Sequence, residues 1–389
     1  MTLGPIQPGA TIGILGGGQL GRMTGQAALS MGYRIAVLDP DETAPARQVA
    51  EHAVKAGFDD EQAAASLAER SSVVTLEIEQ ISRLTLEAAA RFAPVRPGPQ
   101  VVWTIQDRGR QKEFLRDNGF PVGDFRVVDS AEAAGKAASS LGSSIVKSCF
   151  GGYDGRGQAL AHDHESGRAA FQSVGGVRAV VEQFLDIELE CSVVVAREAA
   201  GIIATYDPAE NLHTRGILTW SVHPARLSRD MATKARNLAA GIADALNVEG
   251  LLAVELFVLA DGRLLVNELA PRPHNTFHTT ERSSITSQFE QLVRAVCRLP
   301  LGATDIVQPA AIVNLLGDLW GDGRELNVNA ALRIPGVRLH LYGKRSARPG
   351  RKMGHLSAVG GTPSEALEAA RQAYIAISNG LEPGTFGPG

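Results

Sequence analysis

Short apolar stretches alternate with helical stretches over the first third of the chain. TIGILG and RIAVLD are typical of strands, and the segment from Gln19 to Met31 between them predicts a helix. An Ala-rich helix at about 61–70 and a further strand, SVVTLEIE, follow. Strand–helix–strand alternation of this kind predicts a parallel α/β sheet. The Pro- and Gly-rich segment 93–100 then predicts the exit from this domain.

The apolar pattern changes further along the chain. A helix is predicted at about 108–118, followed by a small segment that contains SSIVKSC and VRAVVEQFL. From Glu188 onward the strands are longer and follow one another directly: ELECSVVVA, GLLAVELFVL and GRLLVNEL. This succession predicts an antiparallel sheet in an α+β domain. VRLHLYGK and RKMGHLSAV predict two more strands around a basic turn.

Composition and charge exclude several classes of protein. The chain has 389 residues, 44% hydrophobic and 21% charged, so we expect a globular protein of two or three domains. A net charge of −4 without a basic cluster predicts no nucleic-acid partner. We expect no membrane partner, since no apolar run approaches the ~18 residues of a span, and no signal peptide. Three scattered cysteines fit a reducing cytoplasm.

The turn after the first strand has the glycine spacing of a dinucleotide-binding fingerprint. Gly16-Gly17-Gly18-Gln19-Leu20-Gly21 matches G-x-G-x-x-G, and Asp39 ends the next strand. Such glycines let a phosphate approach the N-terminus of a helix. The motif alone fits an NAD-dependent dehydrogenase, another phosphorylated ligand, or a tight turn without a ligand.

The most informative pattern is a hairpin that carries two carboxylates. In LLAVELFVLADGRLLVNELAPR, Asp261-Gly262 predicts a two-residue loop that places Glu255 directly opposite Glu268. Opposed Cβ atoms lie about 4.5–5.5 Å apart. The expected neighbours on the same face are apolar: Ala253, Phe257, Val266 and Ala270. Two carboxylates there need a proton or a cation, and Mg²⁺ with bound phosphates is the usual case. The alternative is an edge hairpin with both glutamates in water.

A Gly-rich loop and a lysine add phosphate chemistry. GGYDGRGQ, residues 151–158, offers backbone N–H groups to phosphates and is expected to act as a lid. Lys147 ends the preceding strand and can reach the same phosphates. The alternative for the loop alone is a surface hairpin. In VEQFL, residues 181–185, an acid and backbone groups could read an adenine edge, and Glu190 could hold a ribose.

The order of these motifs resembles that of the ATP-grasp superfamily. Within it, GGGQLGRM, TLEIEQI, GGYDGRGQ, NELAPRPHN, SQFEQ and RPGRKMGH look like the N5-carboxyaminoimidazole ribonucleotide synthase family of purine biosynthesis. The motifs span nearly the whole chain. The resemblance implies a Rossmann-like pre-ATP-grasp domain at 1–106 and a small ATP-grasp domain with the lid at 107–185. It places a large antiparallel domain, with the metal site and a basic pocket, at 186–389.

The resemblance implies an ATP-dependent C–N ligase with Mg²⁺ as cofactor. ATP, bicarbonate and 5-aminoimidazole ribonucleotide would give the N5-carboxylated ribonucleotide, ADP and phosphate through carboxyphosphate. It also implies a cytoplasmic homodimer. Three alternatives stay open: a formate-dependent glycinamide ribonucleotide ligase of the same superfamily, an NAD-dependent dehydrogenase, and a non-catalytic nucleotide-binding or scaffold protein. The last two give no role to the opposed glutamates, and metal-dependent ATP turnover separates them from a ligase.

Matching the family motifs residue by residue assigns a set of site residues. Mg²⁺ is expected on Glu255 and Glu268, and the bicarbonate-derived anion on Arg272, with His274 and Asn275 beside it. Asp154 and Arg156 are expected at the reacting imidazole. The expected ATP contacts are Arg108, Lys147, Gly152, Tyr153, Asp154, Gly155, Arg156, Gly157, Gln158, Glu182, Gln183, Phe184, Leu185, Glu190, His213, Asn267 and Glu268. The expected ribonucleotide contacts are Gln19, Leu20, Glu77, Lys344, Arg351 and Lys352.

The family match also bears on the acidic pair Glu77 and Glu79 and on the segment after NELAPRP. Glu77 and Glu79 are expected to alternate on one strand face, and Glu77 is favoured as the ligand of the ribose hydroxyls. Where the family usually has HNSGH, this chain has HNTFH, so Thr276 keeps a hydroxyl and Phe277 adds a ring.

Overall fold

The N-terminal part of the chain is a parallel sheet flanked by helices. In the computed structural model, which describes residues 4–151 and 157–385, its elements are β1 (Thr11–Leu15), α1 (Gln19–Ser30), β2 (Arg34–Leu38), β3 (His52–Val54), α2 (Glu61–Glu69), β4 (Val73–Leu76), α3 (Arg83–Ala90) and α4 (Pro99–Ile105). The strand order is β3-β2-β1-β4, and every pair is parallel, as predicted.

The strand that carries TLEIE is shorter than predicted. β4 ends at Leu76, so Glu77 and Glu79 lie in the segment after the strand. The expectation that they share one strand face is therefore wrong. Outside the strand the two side chains are not held to one face, and they contact different partners.

The middle of the chain forms a second, antiparallel sheet. Its elements are α5 (Arg108–Asp117), β5 (Phe125–Val128), α6 (Ala131–Leu141), β6 (Ser144–Ser148), β7 (Gln158–Ala161), α7 (His164–Ser173) and β8 (Ala179–Gln183). The strand order is β5-β8-β6-β7. Alternate side chains such as Val146 and Val181 pack under α6 and α7. Because side chains alternate across a strand, Lys147 and Glu182 lie on the opposite face.

The remaining strands form one large antiparallel sheet, as predicted. Its elements are β9 (Ile187–Arg197), β10 (Ile203–Thr205), β11 (Ala209–Thr214), β12 (Ile217–His223), α8 (Arg229–Ala245), β13 (Gly250–Leu259), β14 (Leu264–Ala270), α9 (Thr280–Ser283), α10 (Gln288–Val296), β15 (Ala310–Leu316), α11 (Val328–Leu332), β16 (Arg338–Leu341), β17 (Lys352–Val359) and α12 (Pro363–Ile377). The order is β14-β13-β9-β11-β12-β15-β17-β16, with β10 paired to β9. Short 3₁₀ helices lie at Pro45–Gln48, Asn275–Thr279 and Gly317–Gly323.

The large sheet has a core on each face, and this packing fixes its position against the N-terminal sheet. On one face α8 and α5 cover β9 and β13, with Ile242 and Val254 among the buried residues. On the other face α10 joins the large sheet to β1, and Ile12 and Val296 belong to one buried cluster. The carboxyl end of β1 therefore lies beside the large sheet, where the candidate site is found.

Within 4–151 and 157–385, no helix combines the length and the apolar character needed to cross a bilayer. The longest, α8, buries Ala235, Ala239 and Ile242 and exposes charged side chains on its other face, as an amphipathic helix on a protein surface does.

Candidate active site

Two glutamates face each other on the hairpin of β13 and β14. Glu255 pairs directly with Glu268, as predicted. The register shifts between Glu255 and Leu256, because Asn267 is an extra residue on β14. A bulge of this kind re-aims side chains, and the Asn267 side-chain amide donates to Glu255 Oε2 over 3.0 Å.

The loop of this hairpin is one residue longer than predicted. The Leu259 amide donates to the Arg263 carbonyl over 2.9 Å, which leaves 260–262 as the loop. Gly262 has a φ of +82°, the left-handed conformation that three-residue hairpin loops place at their last position. The prediction of a two-residue loop is wrong. The extra loop residue shifts the strand pairing by one position, and the extra residue at the bulge shifts it back, so Glu255 still faces Glu268.

The apolar surroundings of the pair differ from the prediction at one residue. Phe257 pairs with Leu265, so Leu265 shares the glutamate face. Val266 pairs with Leu256 on the other face, where both belong to the core under α8. Naming Val266 as a neighbour of the pair was therefore wrong, because the bulge moves it to the other face.

The pair is surrounded by positive and donor groups. His274 Nε2 lies 3.2 Å from Glu255 Oε1, and Arg108 Nη2 lies 3.7 Å from Glu268 Oε2. Burial alone would raise the pKa of Glu255, but hydrogen bonding and charge from His274, with His213 nearby, lower it to about 2. Burial and the charge of Glu255 raise the pKa of Glu268 against the pull of Arg108. Two neighbouring carboxylates with pKa values driven apart are what like charges produce.

The donor set of the pair fits a hard divalent cation. Glu255 and Glu268 supply carboxylate oxygens from opposed positions, and Asn267 supplies an amide between them. Oxygen ligands of this kind suit Mg²⁺, which keeps several waters and binds through one or two carboxylates together with substrate phosphates. A cation here would also relieve the repulsion between the two carboxylates.

Lys147 approaches the site from the small sheet and shares a carboxylate with a second lysine. Its ammonium lies 3.1 Å from Glu182 Oε2, and Lys112 lies 3.2 Å from the same oxygen. Burial would raise the pKa of Glu182, but the charges of Lys112 and Lys147 lower it to about 2. Sequence reasoning missed Lys112. Its only signal was a position one helical turn after Arg108, on the same face of α5.

Glu190 and His213 lie next to each other on neighbouring strands. β11 pairs with β9, and a bulge between Leu212 and His213 alters the direction of β11. His213 Nδ1 makes a short contact with a Glu190 carboxylate oxygen. Burial would lower the pKa of His213, but the hydrogen bond to Glu190 and the charge of Glu255 raise it. The structure thus brings these two predicted ATP residues together.

Arg272 makes a two-point ion pair with Glu79. Nε donates to Oε2 over 2.5 Å and Nη2 donates to Oε1 over 3.1 Å. Burial opposes the charge of both groups, but each partner favours the charged form of the other: the pKa of Glu79 is lowered and that of Arg272 is raised. The guanidinium fork that we assigned to a planar anion thus faces an internal carboxylate in this conformation.

The segment after β14 fixes His274 and Asn275. Thr276 is buried, and its hydroxyl contacts His274 Nδ1 over 2.8 Å. Gln19 donates to Asn275 Oδ1 over 3.4 Å, which connects the start of α1 to this segment. Phe277 is fully buried, and its ring packs against Tyr206 and His223 in the core.

The glycine turn before α1 binds internal carboxylates. The amides of Gly18 and Gly21 donate to Glu77 over 2.5 and 2.9 Å, and the amide of Gly17 donates to Asp39 over 2.7 Å. An added Cβ on Gly18 would lie 2.5 Å from Glu77 Oε1. The helix N-terminus that would hold a dinucleotide pyrophosphate is thus filled by Glu77, which argues against the dehydrogenase.

The basic turn lies beside α1. Lys344 donates to the Lys352 carbonyl over 2.7 Å, and Arg351 donates to Ser346 Oγ over 2.9 Å. Leu20 packs in a buried cluster with Tyr342, next to the turn. The predicted ribonucleotide residues on α1 and in the basic turn therefore come from neighbouring elements.

The other predicted ATP residues lie at the start of β7, at or after the end of β8, or outside the described ranges. Gly157 and Gln158 lie at the start of β7, where Gln158 pairs with Lys147. Gln183 ends β8, and the side chains of Gln183 and Phe184 are exposed. Leu185 follows β8. The remaining predicted ATP residues lie in the predicted lid, outside the described ranges: Gly152, Tyr153, Asp154, Gly155 and Arg156.

A second group of potential metal ligands lies on α9, β16 and β17. Within the described residues, Glu281, His340 and His355 have ligand atoms within 4.8 Å of one another. The rings of His340 and His355 are stacked at 4.6 Å with only 10° between their planes. Imidazole lone pairs lie in the ring plane, so two parallel stacked rings do not direct them at one point. As arranged, this group is a histidine stack.

Family models match three consecutive segments of the chain. They are a ribonucleotide synthetase preATP-grasp domain over residues 9–106, an ATP-grasp domain over 113–289, and a phosphoribosylaminoimidazole carboxylase C-terminal domain over 310–369. The chain is 40% identical over 356 residues to the N5-carboxyaminoimidazole ribonucleotide synthase of Bacillus subtilis (strain 168), covering 90% of this chain and 92% of the relative.

Solved structures resemble the whole fold. The ADP complex of an N5-carboxyaminoimidazole ribonucleotide synthetase superposes with a TM-score of 0.89 at 40% identity, covering 96% of this chain and 98% of the other. The Aspergillus clavatus N5-carboxyaminoimidazole synthase, in complex with ADP and 5-aminoimidazole ribonucleotide, gives a TM-score of 0.88 at 31% identity, covering 95% and 99%.

Proposed function

The chain belongs to the N5-carboxyaminoimidazole ribonucleotide synthase family, and from this premise we propose how its residues divide the work. The enzyme is an ATP-dependent ligase of purine biosynthesis that carboxylates 5-aminoimidazole ribonucleotide to the N5-carboxy product. Family membership therefore excludes both the formate-dependent ligase and the dehydrogenase. The roles of individual residues, the metal and the one-carbon substrate form the proposal.

The opposed pair Glu255 and Glu268 is the observation that carries the proposal. We assign Mg²⁺ to these two carboxylates, because the two residues are directly opposed on the hairpin and their side chains are partly exposed. When bound, Mg²⁺ neutralises phosphate charge and orients the γ-phosphoryl group for transfer. Arg108 and Lys147 flank the pair and add positive charge beside the phosphates.

We assign binding of the adenine edge to Glu182 and to the residues that follow it at the end of β8. Among the described residues, Glu182 Oε1 is buried without a hydrogen-bond partner, so it can accept from the adenine amino group. Gln183, Phe184 and Leu185 continue the chain past the strand end and supply backbone groups. Glu190, held by His213, can accept from the ribose hydroxyls. Gly157 and Gln158, with the preceding residues 152–156, are assigned to the phosphates.

Bicarbonate is the proposed one-carbon substrate, and Arg272 is its proposed anchor. A guanidinium fork suits a planar anion, and His274 and Asn275 lie next in the chain. A bicarbonate oxygen attacks the γ-phosphorus and ADP leaves, which gives carboxyphosphate. The exocyclic amine of the ribonucleotide then attacks the carbonyl carbon, phosphate leaves, and the amine loses a proton. Asp154 and Arg156 are assigned to the amine and the new carboxylate.

The ribonucleotide is assigned to the cleft between α1 and the basic turn. Lys344, Arg351 and Lys352 would bind the 5′-phosphate as charged donors. Glu77 accepts two backbone amides, yet each oxygen keeps a second lone pair for a ribose hydroxyl. Gln19 and Leu20 lie at the start of α1 beside it.

Isotope transfer tests the carboxyphosphate step. With ¹⁸O-labelled bicarbonate, Mg²⁺-ATP and 5-aminoimidazole ribonucleotide, we expect one ¹⁸O atom in the phosphate released, because a bicarbonate oxygen bonds to phosphorus. Mass spectrometry of the phosphate measures it. Unlabelled phosphate during full turnover would contradict this route.

We further propose a cytoplasmic homodimer, as family membership suggests. Sedimentation equilibrium of the purified chain tests the oligomeric state directly. A mass near twice the 41.1 kDa of the chain is expected, whereas a concentration-independent monomer would contradict the proposal.

A further inference from the structure

Lys112 lies behind the candidate phosphate site, on α5. Its side chain is only 5% exposed, and its ammonium lies 3.2 Å from Glu182 Oε2. Arg108, one turn earlier on the same helix, reaches toward Glu268. Because so little of its side chain is exposed, Lys112 is placed to act on the site chiefly through Glu182, the carboxylate that it contacts.

Glu182 is shared between two lysines. Lys147 lies 3.1 Å from the same oxygen, and its side chain is 17% exposed, so it borders the open site. In the β8–β6 register, Lys147 faces Val180 and Glu182 faces Ile145, so the lysine and the glutamate are diagonal neighbours on one sheet face. A carboxylate at hydrogen-bond distance from Lys147 competes with any phosphate for the same ammonium.

The charges of this group do not cancel. Burial lowers the pKa of Lys112, whereas the charge of Glu182 raises it. With both lysines protonated and Glu182 ionised, the three groups together carry one net positive charge. Electrostatic interactions strengthen where water is excluded, so this balance decides what Lys147 offers to an anion. With Lys112 in place, the carboxylate is neutralised from the buried side. Without Lys112, Glu182 and Lys147 would form an isolated, neutral ion pair.

We propose that Lys112 is a positioning residue for ATP: it neutralises Glu182 so that Lys147 keeps its positive charge for the phosphates. The proposal rests on the assignment of Lys147 to the ATP phosphates made above. It predicts that losing Lys112 weakens the binding of phosphorylated ligands in particular. Both lysines contact Glu182 Oε2, whereas adenine is assigned to the other oxygen, Oε1, so binding of the base should change far less.

Calorimetric binding of ADP and of adenosine to the full-length chain, in Mg²⁺ buffer, separates this role from a structural one. For Lys112→Met we expect the Kd of ADP to rise about 10- to 100-fold, the range of a lost charged contact. The Kd of adenosine should change less than about twofold, within the scatter of neutral substitutions. Lys112→Arg keeps the charge and should bind ADP like the wild type. Lys136→Met, on exposed α6, controls for the substitution type.

Removing Glu182 provides the decisive comparison. In a Glu182→Gln background, Lys112→Met should weaken ADP binding by less than about threefold, since no carboxylate is left to capture Lys147. An equal loss of ADP and adenosine affinity, or an undiminished loss in the Glu182→Gln background, would overturn the proposal. If Lys112→Met does not fold, Lys112→Gln carries the same test.

Lys147→Met distinguishes failure of this inference from failure of the proposed function. It should weaken ADP binding in the wild-type background. If it does and Lys112→Met does not, the role of Lys112 is overturned and the phosphate assignment stands. If Lys147→Met leaves ADP binding unchanged, the phosphate assignment fails, and the role of Lys112 fails with it.

Discussion

Lys352 at the start of β17 is the residue through which the ribonucleotide assignment is best tested. We expect Lys352→Ala to raise the KM for 5-aminoimidazole ribonucleotide at least about tenfold, because a charged phosphate contact is lost. The KM for ATP should stay within about twofold. Steady-state kinetics measures both, with Lys234→Ala on exposed α8 as control. A change confined to the KM for ATP would reject the phosphate assignment.

His223 predicts a pH dependence of stability. It is fully buried, with Nδ1 2.7 Å from Ser283 Oγ and Nε2 3.0 Å from the Asp207 carbonyl. Burial lowers the pKa of His223 to about 4, whereas the unfolded chain has the ordinary value of about 6.5. As pH falls below about 6.5, the unfolded state takes up the proton first, so stability is lost by up to about 1.4 kcal/mol per pH unit until about pH 4.

Replacing that histidine should flatten the dependence. We expect the Tm of His223→Gln to fall less steeply than that of the wild type between about pH 6.5 and 4.5. The exposed His52 gives the control variant His52→Gln, which should keep the wild-type slope. A wild-type slope in His223→Gln would show that the buried imidazole is not the group that titrates.

For single residues, the sequence predicts which side chains belong to the site better than it predicts which other side chains they contact. Glu255 and Glu268 could be paired because the hairpin relates them through a short loop. The partner of Arg272 could not be predicted, since Glu79 is 193 residues away in the chain and reaches it only through domain packing. Lys112 carries no motif, and its role becomes visible only when α5 is placed against β8.

Among the elements, the β13–β14 hairpin shows how two local errors can leave a pairing unchanged. The loop 260–262 has one residue more than predicted, and Asn267 adds one residue on β14. Both loop lengths use a glycine at the same position, so Asp261-Gly262 does not distinguish them. A bulge has no reliable sequence signal, and here it becomes visible only through the bond from Asn267 to Glu255.

The loop conformation makes a stability prediction. Gly262→Ala should lower the free energy of unfolding by about 1 kcal/mol, because a Cβ disfavours the positive φ. Chemical denaturation measures the difference. Gly321, in the 3₁₀ helix Gly317–Gly323, has no positive φ, and an added Cβ there meets nothing within 4 Å, so Gly321→Ala is the matched control and should not lower the stability. Equal stability of Gly262→Ala and the wild type would contradict the assigned loop.

β4 shows the opposite case, in which one misplaced element end changed the interpretation of two residues. The apolar–polar alternation of TLEIE is typical of a strand, yet the strand ends at Leu76. Glu77 is drawn to the amides at the start of α1, and Glu79 to Arg272. Both attractions come from other elements, so local pattern could not predict them.

For the whole molecule, the sequence indicated the order of the sheets and their strand directions. Alternating strand and helix patterns predicted the parallel sheet, and consecutive strand patterns predicted the large antiparallel sheet. It could not predict how the three sheets meet. The contact between Gln19 and Asn275 and the ion pair between Arg272 and Glu79 bring N-terminal residues to the large sheet, next to the core that α10 shares with β1.

The central claim is that the opposed glutamates support ATP turnover coupled to carboxylation of the ribonucleotide. The most direct test is ADP release with Mg²⁺-ATP and bicarbonate, with and without 5-aminoimidazole ribonucleotide, for the wild type, Glu268→Gln and the exposed control Glu69→Gln. We predict strong stimulation by the ribonucleotide in the wild type and in the control. In Glu268→Gln we predict none, with an unchanged fold by circular dichroism, because a metal ligand is lost without a change of shape. Wild-type ADP release by Glu268→Gln would contradict the account.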